Sequence, residues 1–272
     1  MQNMLRKKQF QIFFKMKKLV QNLIRFLHLI FFKKNLPTKI ALYFHNIEKD
    51  EIEDIKFIIK FFKYLNYNFY SITDFNYQLE NSTKSISLTF DDGFKSWINL
   101  IEIFEKENIH VTFFLNSVFL EPCNDLSRFY YNINTDKNIQ LLDFKDIELL
   151  ISKGHEIGAH THSHETSSCL SDKNFQVDIE ENLNYLRKFN MEINSFAIPF
   201  GRRRYIKNSQ LNYLRNIFSI IVYGEPGMLF DQKLNSIQRY PWNSKKSFNF
   251  NLNNIRINSS FCNNLTKRSG LG

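Results

Sequence analysis

The stretch SISLTFDDG, Ser85 to Gly93, is a run of alternating small and bulky apolar residues that halts on two carboxylates and a glycine. Its β-branched and aromatic content predicts a buried strand, and Asp91-Asp92-Gly93 predicts a sharp exit from it. The same signal recurs on either side. KIALYF (Lys39 to Phe44), YNFYSI (from Tyr67), HVTFFL (from His110), HEIGAH (from His155), SFAIPF (from Ser195) and FSIIVY (from Phe218) all read as strands. Between them lie helical patterns: IKFIIKFFKYL from Ile55, WINLIEIFEKEN from Trp97, LDFKDIELLISKG from Leu142, and NFQVDIEENLNYLRKF from Asn174. Gly154 stands where a helix C-cap glycine belongs. Strand and helix in alternation predict an α/β fold with mostly parallel strands, either an open doubly wound sheet or a barrel. At 272 residues and 43% apolar content, the chain is long enough for one large domain with a real core.

Parallel α/β folds collect function at the carboxyl ends of their strands. The polar residues just past each strand signal are His45 and Asn46, Asp91 and Asp92, Asn116, His160 to His164, and Glu225. Two adjacent carboxylates at a strand end can point in different directions, so one can bind a metal while the other faces substrate. HTHSH, His160 to His164, separates its outer histidines by four. On a helical turn that pair shares a face; on an extended segment all three histidines do. Neutral imidazole is the commonest zinc ligand in proteins. Two histidines and one carboxylate make a three-ligand set that leaves a position open for water, which a bound metal acidifies.

Together these residues resemble the polysaccharide deacetylase family, the NodB-homology group of carbohydrate esterases. TFDDG is similar to its first motif, and HTHSH, within GHEIGAHTHSH, to its second, with Thr161 in the Ser/Thr place. FAIPFG, Phe196 to Gly201, resembles the third. The resemblance runs from Lys39 to Trp242. It implies a distorted (β/α)7-type barrel and one divalent metal, zinc first, with cobalt or manganese as alternatives. It also implies roles: Asp91 as general base, Asp92, His160 and His164 as metal ligands, Thr161 as a support of the histidine loop, and the Phe200 N–H as an oxyanion donor. The implied reaction is hydrolysis of an N-acetyl group on an amino sugar of a polysaccharide or lipid-linked glycan. Water activated at the metal attacks the amide carbonyl, and Asp91 takes its proton.

The chain departs from the family pattern in two places. The arginine that often opens the third motif and orients the base Asp is replaced by Ala197, and Arg239, in QRYPW, is a candidate substitute, grouped with Phe200 and Thr161 as an oxyanion or substrate residue. An ordinary packing arginine is the competing reading. No histidine follows His164, so the late histidine that protonates the leaving amine in many members is missing. His45, at the end of the first strand, is the candidate replacement, with a structural role as its alternative. These departures motivate a rival reading, a catalytically weak, metal-bound, carbohydrate-binding relative of the deacetylases.

The net charge of +9 is concentrated in residues 1–34, which hold nine Lys or Arg and no Asp or Glu. The rest carries 27 basic and 27 acidic residues, so its charge does not call for a nucleic-acid partner. LVQNLIRFLHLIFF, Leu19 to Phe32, is amphipathic, interrupted by Arg25, and short of the ~20 apolar residues a spanning helix needs. It predicts either an interfacial helix on an anionic membrane surface or a helix packed on the domain. Met16 reads as a natural start, which makes residues 1–15 an upstream extension. Cys123, Cys169 and Cys262 show no metal-ligand spacing and read as free thiols of a reducing compartment. The expected organisation is a basic segment (1–35), a deacetylase domain (36–243) and an Asn/Ser-rich, irregular tail (244–272). The expected location is the cytoplasm, peripheral on the inner membrane face.

Overall fold

The structure, a computed structural model, describes residues 36–118, 120, 140–225, 230–231 and 236–269. The basic segment, Cys123 and the side chain of Cys262 lie outside them. Cys169 is exposed as a free thiol. No helix among the described residues is long and apolar enough to cross a membrane.

The strands are β1 (Lys39–Phe44), β2 (Asn68–Phe69), β3 (Ser85–Asp91), β4 (Thr112–Leu115), β5 (Glu156–Ala159), β6 (Ser195–Ala197), β7 (Ile220–Tyr223), β8 (Phe230–Asp231), β9 (Ser236–Gln238) and β10 (Tyr240–Pro241). The α-helices are α1 (Ile52–Tyr64), α2 (Ile72–Tyr77), α3 (Ile101–Lys106), α4 (Phe144–Ser152), α5 (Asp172–Leu186), α6 (Asn208–Arg215) and α7 (Phe248–Ser269). The sheet order is β10-β1-β3-β4-β5-β6-β7-β9-β8, parallel throughout except for the β8–β9 pair. β9 and β10 are separated only by Arg239. The first half of this broken strand pairs with β7 and the second with β1. One stave thus straddles the gap, and seven staves nearly close a barrel. Of the two expected architectures, the parallel sheet takes the barrel.

Small residues and a few rings fill the interior: Ala41, Phe114, Ala197, Val222 and Ile237 are buried there with Ile72 and Phe75 of α2. Gly158 makes room for Phe114, since a Cβ on it would lie 2.4 Å from the Phe114 ring. The larger core lies between the barrel and its helices, around Phe90, Trp97, Phe104 and Phe113.

Two elements correct the sequence reading. YNFYSI contributes only the two residues of β2, because Ser71 ends the extended run by accepting the Asp74 N–H as the N-cap of α2. The Glu156 carboxylate then takes the Thr73 N–H at 3.0 Å and the Ser195 hydroxyl at 2.6 Å, fixing α2 under the barrel. The tail expected to be irregular is instead α7. Its low propensity is overridden by packing. Phe248, Leu252 and Ile255, spaced for one helix face, are buried, and the Phe248 ring meets Phe57 and Phe61, each at 4.8 Å.

Candidate active site

Parallel pairing puts the carboxyl ends of β1, β3, β5 and β6 on one face. His45, Asp91, Asp92, His160, His164 and Phe200 gather there around a cavity of about 420 Å³. Asp91 is the last residue of β3, in register with Phe114. The chain then turns through two positive φ values, Asp92 (88°) and Gly93 (84°), a region that costs a side chain energy and leaves glycine free. That turn separates the two carboxylates. Asp91 faces the arginine of the closing stave, and Asp92 faces the histidine loop.

Arg239 is fully buried and grips Asp91 with both amino groups: Nη1 donates to Oδ1 at 2.7 Å and Nη2 to Oδ2 at 2.8 Å. Nη1 also donates to Thr89 Oγ1 at 2.8 Å, and the guanidinium lies over the Tyr43 and Phe114 rings. Arg239 also lines the cavity, and its Nη1 and Nη2 both donate within the protein.

HTHSH is neither helical nor extended. Thr161 (φ 67°) and His164 (φ 55°) both turn left-handed, and Thr161 Oγ1 accepts the His164 N–H at 3.0 Å. These turns send His160 and His164 to Asp92 and His162 away, where its Nδ1 meets Ser117 Oγ at 2.9 Å. One ligand atom from each of Asp92, His160 and His164 lies within 4.8 Å of the others, and all three residues are buried.

The hydrogen bonding shows that this trio fits a cation. His160 Nδ1 lies 2.7 Å from the Ala197 carbonyl, which can only accept, so Nδ1 carries a proton, and in the neutral ring Nε2 presents a lone pair. That lone pair faces Asp92 Oδ1 at 3.4 Å, and His164 Nε2 faces the same oxygen at 3.3 Å. Asp92 Oδ1 and His164 Nδ1 are buried without a hydrogen-bond partner among the described residues. Acceptors turned on one another need a proton or a cation between them. Burial pushes the Asp92 carboxyl up, but His164, His160 and His45 outweigh it and hold it well below the carboxylate range. Burial pushes His164 down to about 4. Burial also pushes His160 down, but the Asp92 carboxylate beside its Nε2, the Asp91 charge and the Ala197 carbonyl outweigh it and raise it above its ordinary value.

His45 is exposed at the cavity mouth, with Nε2 3.9 Å from Asp92 Oδ2. Trp97 Nε1 donates to the His45 carbonyl at 2.9 Å and pins its backbone. Phe200 sits in a turn closed by Gly201 N–H to the Ile198 carbonyl at 2.9 Å. Pro199 precedes it and its φ is 60°, a placement costly for a bulky residue and frequent at functional sites. Gly201 meets Gly224 backbone to backbone, where a Cβ would lie 2.4 Å from the Gly224 Cα.

The family profile for polysaccharide deacetylase matches residues 78–216. The chain belongs to the polysaccharide deacetylase family. Three solved structures share its fold. The deacetylase PplD of Streptococcus pyogenes, in complex with acetate, has a TM-score of 0.64 at 19% identity, over 80% of this chain and 96% of that one. A polysaccharide deacetylase from Bacillus cereus gives 0.62 at 15%, over 80% and 68%. A de-N-acetylase from Aggregatibacter actinomycetemcomitans gives 0.61 at 14%, over 80% and 99%. No curated protein sequence matches the chain.

Sequence reasoning missed the supports of the histidine loop. Asp178 and Asn182, four apart on α5, accept the backbone N–H groups of Ser163 (2.9 Å) and His160 (3.2 Å). Asn182 Nδ2 also donates to the Leu115 carbonyl and to Ser117 Oγ, both at 3.0 Å, tying the loop to β4. Their signal was available: two polar residues within the face that carries Phe175, Ile179 and Leu183.

Proposed function

We propose that this member of the family removes N-acetyl groups from amino sugars of a polysaccharide or lipid-linked glycan. Asp92, His160 and His164 would hold one divalent cation, with zinc the first choice for two imidazoles and a carboxylate, and cobalt or manganese next. Bound there, the cation would polarise the amide carbonyl and acidify water. The observation that carries the reading is the shared cavity: three ligands turned on one point, beside a carboxylate clamped by a buried arginine.

Asp91 acts as the general base. Arg239 prevents its carboxylate from rotating and keeps its charge compensated, so it accepts the water proton from a fixed position. The arginine missing from the third motif motivated the rival binding-protein reading, and the Asp91–Arg239 pair weakens that motive. The Phe200 N–H, displayed by its left-handed turn, stabilises the developing oxyanion. Thr161 holds the loop that bears both histidines. His45 supplies the proton that the leaving amine needs, since an amide anion is too basic to depart. The test is acetate release from acetylated chito-oligosaccharide and from native acetylated glycans, by protein stripped of metal and then reloaded. Activity that returns with one equivalent of cation is expected. Reloaded protein that binds its glycan and releases no acetate would instead support the binding-protein reading.

A further inference from the structure

We propose that the substrate is an anionic glycan, in which the acetylated amino sugar carries or adjoins a phosphoryl or carboxylate group held by Arg202. The proposal rests on the deacetylase reading above and names its substrate class.

GRRRY, Gly201 to Tyr205, forms the rim of the cavity next to Phe200. Two of its arginines are engaged. Arg203 Nη1 donates to the Ile206 carbonyl at 2.7 Å, its Nη2 bonds Asn208 Oδ1, and its backbone N–H goes to Glu225 at 3.1 Å. Arg204 donates to the Tyr205 hydroxyl at 3.0 Å and lies over that ring. Arg202 is different. It is exposed, it lines the cavity, and its guanidinium has no hydrogen bond or ion pair among the described residues.

The charges inside the cavity do not offset it. The lining carries two carboxylates and two guanidiniums. Arg239 neutralises Asp91, and Asp92 would be more than balanced by a divalent cation. The rim guanidinium therefore adds to a cationic centre, and a glycan with an acidic group is drawn to both. A guanidinium presents paired N–H groups that match a carboxylate or phosphoryl oxygen pair. Beside it, Phe200 is 43% exposed and meets Tyr205 edge-on at 5.9 Å, an apolar wall for the C–H face of a sugar ring. Deacetylation leaves an ammonium group. In a polymer of amino sugars alone, units already processed would bring cations against Arg202. A chain whose amino sugars alternate with acidic units, or bear phosphate, avoids that repulsion.

The experiment compares kcat/KM for acetate release by the metal-loaded full chain from three probes: N-acetylglucosamine 1-phosphate, a hyaluronan hexasaccharide and neutral chitohexaose. Wild type should prefer an anionic probe by about tenfold, the low end for a charge-assisted hydrogen bond at an exposed site. Arg202→Gln should collapse that preference toward unity, and added salt should weaken it. Which anionic probe wins distinguishes phosphoryl from carboxylate. Equal or better turnover of chitohexaose by wild type, or a preference that survives Arg202→Gln, overturns the proposal. Should none of the probes release acetate, the deacetylase reading fails separately. Calorimetric titration with the same three compounds then decides: Arg202-dependent binding of an anionic probe supports the proposal, and its absence overturns it.

Discussion

Asp91→Asn perturbs the site in a way the geometry makes quantitative. The Asp91 carboxylate receives two N–H groups of Arg239 at 2.7 and 2.8 Å, in a place where neither side chain is more than 5% exposed. Asparagine leaves one oxygen for those donors and turns an amide N–H2 toward the guanidinium. The buried arginine then loses its counter-charge, which costs about 3–5 kcal/mol. In a domain of this size, ~3 kcal/mol lowers the melting temperature by roughly 6–12 °C. Arg239→Met strands the carboxylate instead and should cost a similar amount. The double variant removes both charges, so its loss should fall short of the sum of the singles by about 2–3 kcal/mol. Urea denaturation of the three variants and wild type measures that coupling. Turnover adds a second readout: Asp91→Asn should lower kcat by ~10²–10⁴-fold with metal content unchanged. Additive stabilities, or an Arg239→Met protein with normal turnover, would refute the reasoning.

Further expectations follow from other parts of the site and fold. Asp92→Ala and His164→Ala should each abolish stoichiometric metal uptake measured by plasma emission, whereas His162→Ala should retain it, because His162 bonds Ser117 outside the trio. His45→Ala should depress kcat by ~10²-fold or more while leaving metal affinity intact, and normal turnover would remove His45 from the mechanism. Gly158→Ala should cost about 1–3 kcal/mol by overpacking, because its new Cβ would sit 2.4 Å from the Phe114 ring and 2.7 Å from Ser195 Oγ. Burial depresses His155 to about 4 from 6.5, so between those values the unfolded chain binds the extra proton. The His155 contribution is therefore fully present above pH ~6.5 and is lost as pH falls toward 4, at most about 3 kcal/mol. His155→Phe should flatten that part of the stability–pH curve, and an unchanged slope would count against it.

The barrel's strands and most of its helices were legible because each buries one face of its own sequence, and hydrophobic period survives without knowledge of neighbours. The residue types of the candidate metal site were legible for a related reason: such a site needs carboxylate and imidazole, and TFDDG and HTHSH supply both within short windows. The resemblance singled out His160 and His164, but spacing alone did not, because the left-handed turns at Thr161 and His164 depend on a loop held by Asp178 and Asn182 from another helix. Ser71 hid the end of YNFYSI in a single capping side chain, and the Asn-rich α7 was helical only because Phe248, Leu252 and Ile255 found the barrel's flank. Arg239 is the sharpest case. In sequence it is a candidate open to two readings, 148 positions from Asp91. Only the closing stave, paired with β7 before it and β1 after it, carries that guanidinium across the barrel to Asp91, since a buried ion pair forms where closure removes water and not where spacing suggests it.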